Sequence, residues 1–117
     1  YADEFVRECK IPLLNFCGQT SLKDMVPVFT QTDLFISVDT GAVHIAATTA
    51  VPIVVIYGCI TPKRWHPFSD FARALTTNEA CCPCHVSADA CPSNPKPACL
   101  WGIRPDMVLE KCIEILK

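Results

Sequence analysis

The sequence has no excess of basic residues, no long apolar run and little charge, and each absence argues against a class of protein. Ten Lys and Arg against twelve Asp and Glu give a net charge of −2, which disfavours a nucleic-acid partner. No apolar run approaches the ~20 residues of a bilayer span, and no basic-then-apolar start marks an export signal, so we expect a cytoplasmic protein. Charged residues are only 19% of the chain and apolar residues 50%, which argues against intrinsic disorder.

The length leaves room for one domain. With 117 residues, close to the ~100–150 residues of a typical domain, we expect a single unit over residues 1–117 and not a two-domain enzyme. Nine cysteines are many for a cytoplasmic domain of this size, and an odd number cannot all pair within one chain.

Short apolar runs alternate with segments of helical spacing. Residues 13–17, 34–38 and 52–57 are apolar runs typical of buried strands, and residues 72–76 are a fourth candidate. Because strands that alternate with helices favour a parallel sheet, we predict an α/β layered fold with a mainly parallel sheet and ligands at the strand ends. Helices are predicted over residues 3–10, from Ser21 with Asp24 as a capping box, over 42–50 and from Pro105, with a loop at 61–67.

Residues 39–44 place polar groups on the turn between a predicted strand and a helix start. Free amides at a helix N-terminus carry partial positive charge, and Gly41 lets an anionic oxygen approach the backbone without a Cβ in the way. Thr40 adds a hydroxyl donor, and His44 lies four residues on, over the same turn. We therefore predict a phosphate-binding site here. Asp39 would cap the helix, orient His44 or accept from a sugar hydroxyl.

The alternative interpretation of the same residues is purely structural. Asp39 is then only a helix cap, Gly41 only a turn residue, and His44 only a half-buried polar side chain.

A cysteine-rich loop over residues 81–99 carries the competing signal. Four thiolates can close a tetrahedral zinc site, and such an ion would stabilise a loop with little core of its own. The spacing departs from a zinc ribbon because the C-x-x-C pair is not repeated, and free thiols are the other interpretation. The candidate zinc ligands are Cys81, Cys84, Cys91 and Cys99, with Cys82 in excess.

Three blocks, in this order, resemble the C-terminal half of glycosyltransferase family 9, the lipopolysaccharide heptosyltransferases. The blocks are residues 15–22 (NFCGQTSL), Asp39-Thr40-Gly41 followed by residues 44–47 (HIAA), and residues 52–58 (PIVVIYG). The resemblance covers nearly the whole chain, and the order of the blocks is more specific than any one of them.

The resemblance implies a Rossmann-like three-layer sandwich, corresponding to the C-terminal domain of a two-domain, B-type glycosyltransferase. That domain holds the nucleotide-sugar donor, usually ADP-heptose, and the acceptor would be the lipopolysaccharide inner core. Asp39, Thr40, Gly41 and His44 match the donor-site motif, with the amides of Thr40 and Gly41 implied as diphosphate ligands. Gly18, Thr20 and Ser21 match a loop near the nucleotide.

In such a transfer, negative charge grows on the leaving phosphate, and donors at a helix start would stabilise it. Lys63 and Arg64 could reach the same charge from the loop, and their alternative interpretation is two solvated basic residues. No cofactor is expected for transfer; a structural zinc ion at the cysteine-rich loop is the one candidate. The family's place of action would put the protein in the cytoplasm, peripheral to the inner face of the inner membrane.

The sequence also departs from the family pattern. Members of the family often have the sequence Gly-Pro-Thr-Asp-Pro after the third strand. This chain has Thr61 at the position of the Asp. The acceptor-binding half and its catalytic base have no counterpart, so we expect the isolated chain to bind nucleotide without transferring sugar, and its exposed apolar face to favour self-association. The rival hypothesis is a non-catalytic, zinc-stabilised or redox α/β interaction module.

Overall fold

The computed structural model describes residues 1–84, 90–93 and 95–117 of the chain. Among these residues, no helix has the length and apolar character needed to cross a membrane. Residues 85–89 and 94 of the cysteine-rich loop lie outside the described part. The elements are α1 (Ala2–Glu8), α2 (Leu22–Phe29), β1 (Phe35–Val38), α3 (Gly41–Ala46), β2 (Ile53–Ile56), α4 (Pro62–Trp65), β3 (Ala72–Leu75), α5 (Ala98–Trp101) and α6 (Pro105–Ile115).

The described strands form one sheet in the order β1-β2-β3, and both pairs are parallel. Phe35 lies beside Ile53, and Ile53 lies beside Ala72, so the three strands start level and end level. Helices α3 and α4 cross between consecutive strands. The predicted Rossmann-like α/β fold with a parallel sheet is confirmed, and all three strands end on the same edge.

The central strand β2 forms the centre of the core. Ile53, Val54 and Val55 are completely buried, as expected for an unbroken Ile/Val strand covered on both faces. On one face Phe29 of α2 joins β2 in the core and stacks on Phe35 with ring centroids 4.6 Å apart. On the other side α6 packs against β2 and β3. Strand β1 is at the edge of the sheet and keeps one apolar face exposed.

The predicted strand over residues 13–17 is wrong. The segment is irregular and largely exposed, with 84% of Leu14 accessible. Local side-chain bonds occupy its backbone: Asn15 Oδ1 accepts the Cys17 amide at 3.0 Å, and Gln19 Nε2 donates to the Asn15 carbonyl at 2.9 Å. Such bonds satisfy backbone groups that a sheet would otherwise pair, so the apolar run does not need a neighbouring strand.

Two further differences concern element lengths. The helix predicted over residues 42–50 ends at Ala46, because Thr48 Oγ1 and Thr49 Oγ1 donate to the carbonyls of Ile45 and Ala46 at 2.7 Å. The loop predicted over residues 61–67 contains the one-turn helix α4, whose first residue is Pro62. The predicted helix from Pro105 and the strands over 34–38, 52–57 and 72–76 are confirmed within one or two residues at each end.

Helix α2 begins at the predicted capping pair. The Ser21 amide and the Ser21 hydroxyl both donate to Asp24 Oδ2 at 2.7 Å. These two bonds, the hydroxyl bond first, hold the pKa of Asp24 below its usual value.

We expect Ser21→Ala to destabilise the fold by about 1 kcal/mol, because the helix loses its N-cap hydroxyl. Urea denaturation at neutral pH measures the change. Thr20→Ala, one residue earlier and outside the cap, is the control, and an equal loss in both variants would contradict the assignment.

Candidate functional site

The turn after β1 lies where the carboxyl ends of the parallel strands meet. The Asp39 amide still donates to the Ile56 carbonyl at 3.3 Å, so the sheet fixes the position of this residue. Thr40 is the N-cap of α3, and its carbonyl accepts the Val43 amide at 3.2 Å. Ligands of open α/β sheets bind outside this edge.

The turn is open to solvent. A Cβ placed on Gly41 would meet no atom within 4 Å, and Thr40 and His44 are exposed. Among the backbone hydrogen bonds of the described residues, the amides of Thr40, Gly41 and Ala42 donate to no carbonyl. An anion could therefore approach unused backbone donors at a glycine without displacing any side chain.

A buried tyrosine follows the neighbouring strand β2. Tyr57, which follows β2, is completely buried. Its hydroxyl donates to the Trp65 carbonyl at 3.3 Å and contacts His66 Nδ1 at the same distance. Burial first, and the nearby negative charge of Asp39 second, raise the pKa of Tyr57 to about 12. Asp39 is thus close enough to the end of β2 for its charge to act there.

A cavity of about 270 Å³ lies beyond the ends of β2 and β3. Its wall includes Lys63 and Thr61 of the α4 region and, from the other side, Thr76 and Asn78. Thr76 Oγ1 donates to Asn78 Oδ1 at 2.9 Å, which leaves the amide nitrogen of Asn78 as a further donor. Thr76 and Asn78 were not predicted as site residues; the available signal was their position at the end of a predicted strand and just beyond it.

The other predicted donor-site residues lie elsewhere. Arg64 stacks its guanidinium on the Trp65 ring, 5.2 Å from the centroid, and is not part of the cavity wall. Gly18 and Thr20 line a separate groove against α1, and Ser21 caps α2.

The conformation of Gly18 has a structural explanation. Its φ of +73° is in the left-handed region, and the Gln19 amide donates to the Phe16 carbonyl at 3.0 Å. A tight turn with positive φ at its third residue favours glycine without any ligand.

The cysteines of the predicted zinc site are not gathered into one set of ligands. In the described ranges, no three His, Cys, Asp or Glu side chains form a group that could hold a metal ion. Cys81 is exposed, Cys84 and Cys91 are half-buried, and Cys99 is buried. The zinc site therefore stays a prediction.

The family model of glycosyltransferase family 9 (heptosyltransferase) matches residues 1–93, which contain the three strands and the turn after β1. The chain belongs to this family. No solved structure matches the chain.

Curated heptosyltransferases are similar to the chain. Lipooligosaccharide heptosyltransferase 2 of Campylobacter jejuni is 28% identical over 97% of this chain and 35% of its own length. Lipopolysaccharide core heptosyltransferase OpsX of Haemophilus influenzae is 30% identical over 61% of the chain and 20% of its own length. Lipopolysaccharide heptosyltransferase 3 of Escherichia coli is 29% identical over 58% of the chain and 20% of its own length. The chain thus spans about a third or less of these relatives.

Proposed function

We propose that this chain forms the donor-binding part of a family 9 glycosyltransferase, with the diphosphate of a nucleotide sugar bound at the turn after β1. The observation that carries the proposal is the open Thr40–Gly41 turn at the carboxyl end of the sheet, where backbone amides are unused and no side chain blocks access. Membership of a heptosyltransferase family supports a heptose as the sugar and ADP-heptose as the donor. Two relatives are named as lipopolysaccharide heptosyltransferases, one of them for the core, and the lipopolysaccharide core would be the acceptor.

Each residue of the turn has a distinct role in the proposal. The Thr40 and Gly41 amides bind phosphate oxygens, and the exposed His44 donates to the same anion. Asp39 is half-buried and its carboxylate would repel phosphate, so it accepts from a sugar hydroxyl or orients His44 instead. When the bond between the anomeric carbon and the diphosphate breaks, negative charge increases on the leaving oxygen. Fixed hydrogen-bond donors therefore stabilise the transition state more than they stabilise the bound substrate.

Lys63 belongs to a second part of the proposed donor site. It lines the cavity at the ends of β2 and β3, and β3 lies two strand spacings, or about 10 Å, from β1. A nucleotide sugar is long enough to extend from the turn to that cavity. Arg64, stacked on Trp65, stays a candidate only for long-range attraction of the anion.

The remaining predictions are part of the same proposal. The base that activates the acceptor is not among the assigned residues, so we expect nucleotide binding without sugar transfer by this chain alone. Action at the cytoplasmic face of the inner membrane also stays a proposal. Exposed apolar side chains on β1, Ile36 and Val38, with 46% and 52% of their surface accessible, support self-association of the chain.

The proposal can be tested by asking whether binding at the turn requires two phosphates. We expect ADP to raise the melting temperature of the chain and AMP to raise it much less, because only ADP places two phosphates on the turn. A ligand at 100 times its Kd adds about 2.7 kcal/mol of stability when it binds only the native state. His44→Ala should weaken ADP binding about tenfold, since a hydrogen bond to a charged group contributes about 1.5–3 kcal/mol.

The matched control is Lys10→Ala, an exposed basic residue in the N-terminal region. Equal stabilisation by ADP and AMP, or equal weakening by the two substitutions, would contradict a diphosphate site at the turn.

A further inference from the structure

Cysteines from three segments lie close to one another in small sets near the end of β2, without forming one metal-binding group among the described residues. Cys59 follows that strand, Cys81, Cys82 and Cys84 belong to the cysteine-rich loop, and Cys99 lies in α5. Cys81 and Cys99 lie close to Cys82. Cys84 and Cys99 lie close to Cys59. The family's proposed transfer chemistry uses none of these thiols.

The main chains of Cys59 and Cys84 are joined by a hydrogen bond. The Cys84 amide donates to the Cys59 carbonyl at 3.1 Å. With standard backbone bond lengths, a single N–H···O=C bond of this length places the two Cα atoms within roughly 7 Å of each other. Disulfides form between cysteines whose Cα atoms are about 4.4–6.8 Å apart. The separation of the two backbones is therefore suitable for a disulfide.

We propose that Cys59 and Cys84 form a disulfide when the protein meets a hydroperoxide, so that this pair is a site of reversible oxidation. One thiolate attacks the peroxide, its sulfur becomes a sulfenic acid, and one water or alcohol leaves. The second thiolate then attacks that sulfur, the S–S bond forms, and a second water leaves. The two thiols together lose two electrons and two protons, and the O–O bond of the peroxide takes up both.

The cross-link would fasten the cysteine-rich loop to the sheet. Gly58, next to Cys59, and the pair Cys82 and Pro83, next to Cys84, all line the cavity that contains Lys63. A bond between the two cysteines would hold opposite walls of that cavity together. Oxidation would in this way stabilise the proposed second part of the donor site.

Peptide mapping of the oxidised chain tests the proposal. The reduced protein is treated with hydrogen peroxide at about pH 8.5, where ordinary thiols ionise, and digested after blocking free thiols with an alkylating reagent. We expect a peptide pair linked through Cys59 and Cys84 that disappears on reduction. A disulfide between Cys59 and Cys84 would constrain the unfolded chain between these two residues. We therefore also expect the melting temperature to rise by about 5 °C or more on oxidation.

Matched variants separate this bond from other thiol chemistry. Cys59→Ser and Cys84→Ser should each abolish the rise, whereas Cys91→Ser, in the same loop, should keep it. Alkylation of Cys59 and Cys84 after complete oxidation would overturn the proposal, as would their linkage to other cysteines. The proposal would also be overturned, in favour of a metal site, if the purified chain contained one zinc ion per molecule and this ion protected both thiols from peroxide.

Discussion

Gly41→Val should abolish measurable ADP binding at the turn after β1 and leave the fold intact. The valine side chain would extend into the space where the proposed diphosphate approaches the Thr40 and Gly41 amides. The loss of a charged hydrogen bond together with steric exclusion is expected to weaken binding about 100-fold. Isothermal titration with ADP measures the loss.

Stability should change little because the fold leaves this position open. No atom lies within 4 Å of a Cβ on Gly41, and the residue does not have a positive φ. Ala50→Val, at an exposed position after the other end of α3, is the matched control and should bind ADP normally. Unchanged affinity in Gly41→Val would show that the nucleotide binds elsewhere, and loss of folding would show that the turn is tighter than the structure has it.

The second large effect concerns alkaline pH. Tyr57 has a pKa of about 12 in the native state, against 10.0 for the ordinary phenol. Between these pH values the Tyr57 phenol loses its proton in the unfolded state but keeps it in the native state, so rising pH favours unfolding. The stabilisation is complete below pH 10 and is lost by about pH 12, a change of about 2–3 kcal/mol. The half-buried Cys82 thiol, with its pKa raised to about 12, shifts stability in the same direction.

Tyr57→Phe isolates the contribution of the phenol. At pH 8 the variant should be less stable by about 1–2 kcal/mol, because the Trp65 carbonyl and His66 Nδ1 lose their hydroxyl partner. Because the wild type loses about 2 kcal/mol by pH 11.5, urea denaturation repeated there should show the difference closed, or reversed by up to about 1 kcal/mol. Tyr1→Phe, at a fully exposed position, should leave the pH dependence unchanged. A constant gap between Tyr57→Phe and wild type would contradict the assignment.

The parts of the fold that could be predicted are those whose signal is local and strong. The unbroken Ile/Val run of β2 predicts a strand buried on both faces because no other environment suits it. The Ser21 capping pair and Pro105 predict helix starts through their own backbone chemistry. Residues 13–17 have a similar apolar composition, but whether a strand forms depends on a neighbour that the local sequence does not specify.

The candidate site likewise has a part that the local sequence predicts and a part that only the tertiary fold brings together. Asp39, Thr40 and Gly41 are consecutive, so their common turn could be predicted from the pattern of strand, glycine and helix. Lys63 meets Thr76 and Asn78 only because two parallel strands end side by side. The contact between Cys59 and Cys84 likewise depends on how the cysteine-rich loop returns to the sheet, which composition and spacing do not determine.

The most direct measurement of the central claim is an ADP titration of the ¹⁵N-labelled chain followed by amide NMR. We predict that the amide signals of Thr40, Gly41 and Ala42 shift in a saturable way, with a common Kd and with His44 ring signals changing in parallel. AMP should shift them less at equal concentration. If ADP binds while these three amides stay unperturbed and signals around another surface move, the turn after β1 is not the diphosphate site.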